Sequence, residues 1–348
     1  MGDRAGLSGA RSGQHADRSA HRLGDLPLLR IQPREDIHGI ILPAVGHGCA
    51  NTIGGRVRTA LGVGALALAA LFVTQAPAAA RAGDPVPTPS PVVTEVRTFS
   101  YGSHVRQRMD VWWHPEGEAR PAVFVIHGGW WASGDKKYMT EVSRSFSQLG
   151  FTVANIDYRL SGDAPWPAQR SDALTAISAV RRHAAQFNTD PDRYAVIGFS
   201  AGGHIAAAVD TYGDGLPGLR GVVGISPVVS PMTAYADGDQ GADAEQRHLR
   251  KAAIALAGGC GPIKCPRIWR SMEPALHASP GDAPMLSVHS ADEFVPPYHS
   301  EILQGALAEA GVDMTIMTMP GTQHSAPLYR EPGVAESVEQ WVIGRLMK

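Results

Sequence analysis

Gly198-Phe199-Ser200-Ala201-Gly202-Gly203 is the stretch that decides the fold. Ahead of it, Tyr194-Ala195-Val196-Ile197 reads as a short buried strand. Behind it, Ile205-Ala206-Ala207-Ala208-Val209 reads as the opening of a buried helix. A serine set between glycines at a strand-to-helix corner is a nucleophile elbow. The turn is tight enough to hold Ser200 at strained backbone angles, and a Cβ at 198 or 202 would collide with the neighbouring strand or helix. Such strain lifts the hydroxyl to the C-terminal edge of a sheet, where it can attack a carbonyl and carry an acyl group.

Gly-x-Ser-x-Gly alone is a weak signal in a chain with 39 glycines, so partners must be found in a workable order. Upstream, Val123-Phe124-Val125-Ile126 is too short for a helix and rich in β-branched residues, and reads as a central strand. It runs into His127-Gly128-Gly129-Trp130-Trp131. Glycines at a strand end leave backbone N–H groups free to face a ligand. Gly128 or Gly129, with Trp130 as a further donor, would join the N–H of Ala201 to hold an oxyanion. His127 precedes the glycines and is expected to hydrogen-bond the loop rather than act as the base.

Downstream, the order serine, acid, histidine is required. Pro284 to His289 reads as a strand, with Ser290 to Pro296 as the loop leaving it. Asp292 is the expected acid, whose task is to accept the Nδ1–H of a histidine and stabilise its cation. Glu293 is its rival. Met314 to Met319 reads as the last strand and leads to His324. Of fourteen histidines, His324 alone follows the acid on a loop at the correct edge.

These pieces, with Ser133-Gly134-Asp135, Asp157-Tyr158-Arg159-Leu160, Trp166-Pro167-Ala168-Gln169, Asp190-Pro191-Asp192-Arg193 and Ser279-Pro280, give the chain a family likeness. It resembles the α/β-hydrolase esterases of the hormone-sensitive-lipase and bacterial feruloyl esterase-like (BD-FAE-type) branch. The likeness runs from about residue 95 to the C-terminus. It implies Ser200, Asp292 and His324 as the triad and Gly129 and Ala201 as the main oxyanion donors; no cofactor or metal is expected, since a hydroxyl–imidazole pair supplies both the nucleophile and the proton shuttle. The sequence departs from the pattern at Trp130-Trp131, where many relatives carry a third glycine, and at Ser290, where glycine is common.

The expected fold is α/β, an α/β-hydrolase with a mostly parallel eight-stranded sheet, helices on both faces and a small cap insertion. An antiparallel opening pair is expected at 92–99 and 109–113. Parallel strands follow at 122–126, 152–156, 194–199, 219–225, 284–289 and 313–319. Ala173, Ile177, Val180, Ala184 and Phe187 share one helical face and predict a helix over 167–187. Residues 228–280 break the pattern and carry an amphipathic stretch at 244–257, which is expected to lie over the site as a cap. Trp130, Trp131, Phe199 and Val295 are the candidates for a substrate pocket.

Residues 1–82 differ in kind. Arg56-Val57-Arg58, the apolar run Ala60–Val73 and Ala78-Ala79-Ala80-Arg81-Ala82 form a basic, apolar and small-residue series. That predicts a secretory signal peptide over 56–82, cleaved after Ala82. An uncleaved membrane anchor is the rival, but Gln75 and Pro77 cut the run below the ~20 residues of a span. Residues 1–55 are expected to be a disordered extension or to precede the true start, and 83–94 a Pro-rich linker. Export agrees with a disulfide between Cys260 and Cys265, and two cysteines without nearby ligands make no zinc site. The formal net charge is −2 and no basic stripe is present, which argues against nucleic acid as a partner.

The sequence therefore points to a secreted serine esterase acting on a small-molecule or polysaccharide-linked ester. An amidase of the kynurenine formamidase type and a non-catalytic binding protein on the same scaffold are the alternatives.

Overall fold

The computed structural model describes residues 94–347. The expected N-terminal extension, signal peptide and nearly all of the linker lie outside the described residues. No helix among the described residues is long and apolar enough to cross a membrane.

Eight strands form one sheet in the order β1-β2-β4-β3-β5-β6-β7-β8. They are β1 (Glu95–Ser100), β2 (Arg108–Trp113), β3 (Arg120–Ile126), β4 (Thr152–Ile156), β5 (Thr189–Phe199), β6 (Leu219–Ile225), β7 (Met285–Ser290) and β8 (Met314–Met319). β1 pairs antiparallel with β2, and β2 antiparallel with β4. All the other pairs are parallel. Most of β3 and β6 and the second half of β5 are apolar, because both faces of a parallel sheet are covered. Successive side chains then enter opposite layers. Phe124 and Ile126 join one core, and Val123 and Val125 the other.

The first layer holds α2 (Ala168–Arg182), α3 (Ala201–Asp210) and α7 (Tyr298–Glu309). The second holds α1 (Thr140–Gln148), the short α8 (Ala326–Tyr329) and α9 (Val334–Leu346). The expected helix over 167–187 ends early, at Arg182. Asn188 takes a positive φ of 43° and donates from Nδ2 to the carbonyl of His114 at 3.0 Å. The turn it closes swings Phe187 against Phe99 and Trp113. Phe187 is therefore core, as its periodicity suggests, but it reaches the core from a turn.

Parallel pairing brings strand ends to a common edge. Ile126 stands beside Gly198, and Ser290 beside Met319. The loops after β3, β5, β7 and β8 thus converge there.

The segment 228–280 contains α4 (Pro231–Asp237), α5 (Ala244–Leu256) and α6 (Pro266–Ser271). A capping box starts α5: the Asp243 carboxylate accepts from the N–H of Gln246, whose side chain accepts from the N–H of Asp243. The segment is fastened to the body by a 2.9 Å bond from the Trp166 N–H to the Leu256 carbonyl and a 3.1 Å bond from Trp166 Nε1 to the Ser271 carbonyl. Cys260 and Cys265 are joined in a disulfide, with Cα atoms 6.1 Å apart. Replacing both by serine is expected to lower stability by about 2 kcal/mol, read as a lower urea midpoint at an unchanged slope. No change would mean that the 2.8 Å bond from Trp269 Nε1 to the Cys260 carbonyl and the buried Trp269 ring hold the turn unaided.

Candidate active site

Ser200 sits at the corner between β5 and α3 with φ 51° and ψ −114°. Such a conformation is costly for a side chain with a Cβ, and it persists only where the surroundings dictate it. Here they do. A Cβ on Gly198 would lie 2.1 Å from the Gly202 carbonyl oxygen, and one on Gly202 would lie 2.3 Å from that of Ile126. The Ser200 N–H donates to the Ile225 carbonyl at 2.8 Å, which ties the corner to β6.

His324 lies on the loop between β8 and α8. Its Nε2 is 2.8 Å from Ser200 Oγ. Its Nδ1 is 2.5 Å from Oε2 of Glu293, not from Asp292. The expected acid is thus corrected by one residue. Asp292 is exposed, and its side chain has no hydrogen-bond partner among the described residues. Its N–H donates to the Gly321 carbonyl at 3.0 Å, which ties the turn after β7 to the loop carrying His324. Glu293 and Val295 turn inward, Asp292 turns to solvent, and Phe294 lies between these extremes.

Glu293 is wholly buried. Its second oxygen, Oε1, accepts the Ser290 N–H at 3.0 Å and the Nδ1–H of His289 at 3.1 Å. Burial by itself would raise the carboxyl pKa. The hydrogen bonds from His289 and His324, with the attraction of the two rings, outweigh it and hold Glu293 below the usual glutamate value. The group is therefore an anion facing His324 Nδ1, so the proton on that ring sits on Nδ1 and Nε2 is free to accept from Ser200.

The loop after β3 supplies the second half of the site. A Cβ on Gly128 would lie 2.7 Å from the Phe199 carbonyl oxygen and 3.2 Å from Ser200 Cβ. Only a glycine lets this backbone approach the serine so closely. Gly129 has φ 119°, and its carbonyl accepts from the N–H groups of Ala132 and Ser133. Among the described residues the N–H groups of Gly129, Trp130 and Ala201 have no backbone acceptor. Ala201 opens α3, whose first N–H groups have no partner within the helix. His127 fastens the loop, donating from Nδ1 to the Gly128 carbonyl at 2.7 Å and stacking on Tyr158. A cleft of about 310 Å³ opens beside the loop, lined by Gly128, Gly129, Ser133, Tyr138, Met139 and Ser325.

Only one of the four expected pocket residues is placed to meet a substrate. Trp131, Phe199 and Val295 are fully buried, and this corrects that expectation. Trp130 and Trp131 both have positive φ, 57° and 55°. The chain thereby sends Trp131 inward, where its Nε1 donates to His204 Nδ1 at 3.1 Å. Phe199 points to the opposite layer and meets Tyr329 edge-on. Trp130 stays half-buried. It stacks on Phe294 with centroids 5.2 Å apart, and Phe294 in turn lies 4.2 Å from the His324 ring. His248 of α5 packs on Trp130 at 4.5 Å, so the 228–280 segment reaches the loop through this side chain. Phe294 and His248 were not singled out in the sequence, since nothing local marks either as a neighbour of Trp130. Among the described residues no group of three or more His, Cys, Asp or Glu side chains is arranged to hold a metal ion.

A model of the BD-FAE family matches residues 109–307. Among curated proteins, the chain is 26% identical over 263 residues to esterase LipQ of Mycobacterium tuberculosis, which covers 71% of this chain and 62% of that protein. It is 35% identical over 117 residues to carboxylesterase NlhH of the same species, covering 33% and 37%. The chain thus spans less than two thirds of the length of these relatives. Among solved structures, a truncated carbohydrate esterase from gut microbiota superposes with a TM-score of 0.62 at 24% identity, covering 74% of this chain and 97% of that one. Esterase B from Lactobacillus Rhamnosis has the same TM-score at 18% identity, covering 72% and 84%. Both superpositions show the α/β-hydrolase fold.

The geometry makes a direct comparison of the two acids possible. Labelling of Ser200 by a fluorophosphonate should slow by about 10³-fold or more in Glu293→Gln, which loses the anion behind the imidazole. In Asp292→Asn it should stay within about twofold, as for other exposed side chains. The reverse pattern would restore Asp292 as the acid.

Proposed function

Since the chain belongs to the BD-FAE family, we propose that it is a serine carboxylic ester hydrolase working through Ser200, His324 and Glu293. The observation that carries this reading is the unbroken series of contacts from Ser200 Oγ through the two His324 nitrogens to a buried carboxylate.

The steps follow from that series. His324 Nε2 takes the hydroxyl proton as Ser200 Oγ adds to the ester carbonyl. Glu293 stabilises the imidazolium that results and keeps its ring aligned. The carbonyl oxygen becomes an anion, for which the unpartnered N–H groups of Gly129, Trp130 and Ala201 are the donors at hand. His324 then gives its proton to the departing alkoxide, leaving an acyl group on Ser200 and a free alcohol. Water repeats the sequence on the acyl-enzyme, with His324 again as base, and releases the acid.

For substrate we infer short-chain or aromatic carboxylic esters, free or attached to a polysaccharide. The half-buried rings of Trp130 and Phe294 beside His324 support an aromatic or carbohydrate group lying there. The superposed carbohydrate esterase supports the same class. For location we infer export, which the sequence pattern of residues 56–82 and the Cys260–Cys265 disulfide both favour.

Ser200→Ala should lower kcat for p-nitrophenyl acetate by about five orders of magnitude with an unchanged far-ultraviolet spectrum. A folded variant that keeps the full rate would overturn the assignment. A panel of methyl ferulate, acetylated xylan and nitrophenyl esters of rising chain length then tests the substrate class. Trp130→Ala should raise KM for methyl ferulate more than for p-nitrophenyl acetate, and equal changes in the two would remove the aromatic subsite.

A further inference from the structure

We propose that His289 is a positioning residue for the acid of this site: it clamps one oxygen of Glu293 so that the other is held toward His324. The inference rests on the hydrolase reading of Ser200, His324 and Glu293.

His289 is the penultimate residue of β7 and is wholly buried. Its Nδ1 lies 3.1 Å from Glu293 Oε1 and 3.1 Å from the Val295 carbonyl oxygen. Neither oxygen can donate, so Nδ1 carries the hydrogen. Its Nε2 lies 2.7 Å from Ser300 Oγ, at the start of α7, and Ser300 Oγ lies 3.0 Å from Ser287 Oγ. A hydroxyl can donate or accept, so this pair accommodates the ring with or without a second proton. The carboxylate is thus gripped from both ends. Oε1 takes the Ser290 N–H and His289, and Oε2 takes His324 alone.

A buried carboxylate without donors would protonate rather than stay charged. The Ser290 N–H supplies one donor to Oε1, and the His289 N–H supplies the other. Other charged or titratable groups near the ring are few. His324 acts through Glu293. His299 of α7 adjoins Ser300, and its Nε2 lies 3.0 Å from Oδ2 of Asp237 in α4. On the sheet, the β8 partner of His289 is Thr318, which does not titrate. The clamp is therefore set mainly by the pair His289 and Glu293.

The role separates from mere packing by where a replacement places its donor. An asparagine amide nitrogen falls near the position of Nδ1, and a glutamine amide falls near that of Nε2. Wild-type hydrolysis of p-nitrophenyl acetate, absent in Ser200→Ala, first establishes the reading on which the inference rests. The acidic limb of kcat/KM against pH is then compared in His289→Asn and His289→Gln. Losing the donor makes the Glu293 anion harder to form, so Glu293 protonates at higher pH. That moves the limb upward. His289→Gln should show that shift by about one unit, with kcat down about tenfold or more and KM little changed. His289→Asn should recover the wild-type limb. Limbs that coincide in the two variants, shifted or not, would overturn the proposal. A second readout needs no folded His289 variant. The wild-type protein should show downfield Nδ1–H proton resonances from both His289 and His324, and both should move in Glu293→Gln. Movement of the His324 signal alone would equally overturn it.

Discussion

The structure depends on how closely α3 can press against the strand ends beneath it. At Gly202 there is no room for one more carbon, since a Cβ would lie 2.3 Å from the Ile126 carbonyl oxygen. At Gly198 the gap to the Gly202 carbonyl is smaller still. This contact forces Ser200 into the left-handed region and sets its hydroxyl above the sheet edge. It also brings the backbone of Gly128 against the serine, so one close approach positions both the Ser200 hydroxyl and the loop beside it. Parallel pairing does the rest, because β7 and β8 must end at that same edge and deliver Glu293 and His324 to it.

Such a corner costs conformational energy, and the burial around it is what maintains it. β5 and β6 are covered on both faces, and α3 is buried along its whole length. The polar contents of this core are paired instead of avoided. Glu293 receives three donors. His204 accepts from Trp131, and its Nε2 lies 2.7 Å from the Met272 carbonyl. Burial, helped by the charge of Arg170 and opposed by the Met272 carbonyl, holds the His204 pKa down to about 4, so that ring is neutral and structural. The 228–280 segment is bound into the same scheme through Met272, Asp237 and its bonds from Trp166, and it touches the loop after β3 through His248.

Much of this could be read from residue order. Ser200 announces itself through the glycines on either side and the change from a strand pattern to a run of small residues. The central strands follow from short apolar runs, and His324 from its place after the last strand. The acid could not be settled in that way. Asp292 and Glu293 are adjacent, both are carboxylates, and only the phase of the loop decides which turns inward. That phase depends on the hydrogen bond between Asp292 N–H and Gly321, a residue almost thirty positions away. The pocket was harder still. Trp130 and Trp131 are neighbours in sequence, but two successive positive φ angles send one to the rim and the other to the core. Phe294 and His248 come from distant segments and meet Trp130 only after the sheet and the 228–280 segment are in place.

In the proposed chemistry Ser200 Oγ is the atom that takes the acyl group. Intact-mass and peptide mass spectrometry of the protein, quenched in acid during turnover of p-nitrophenyl acetate, tests that most directly. One acetyl group is expected per molecule, on the peptide containing Ser200. Steady hydrolysis with no acetylated protein, or with the acetyl group on another residue, would contradict it.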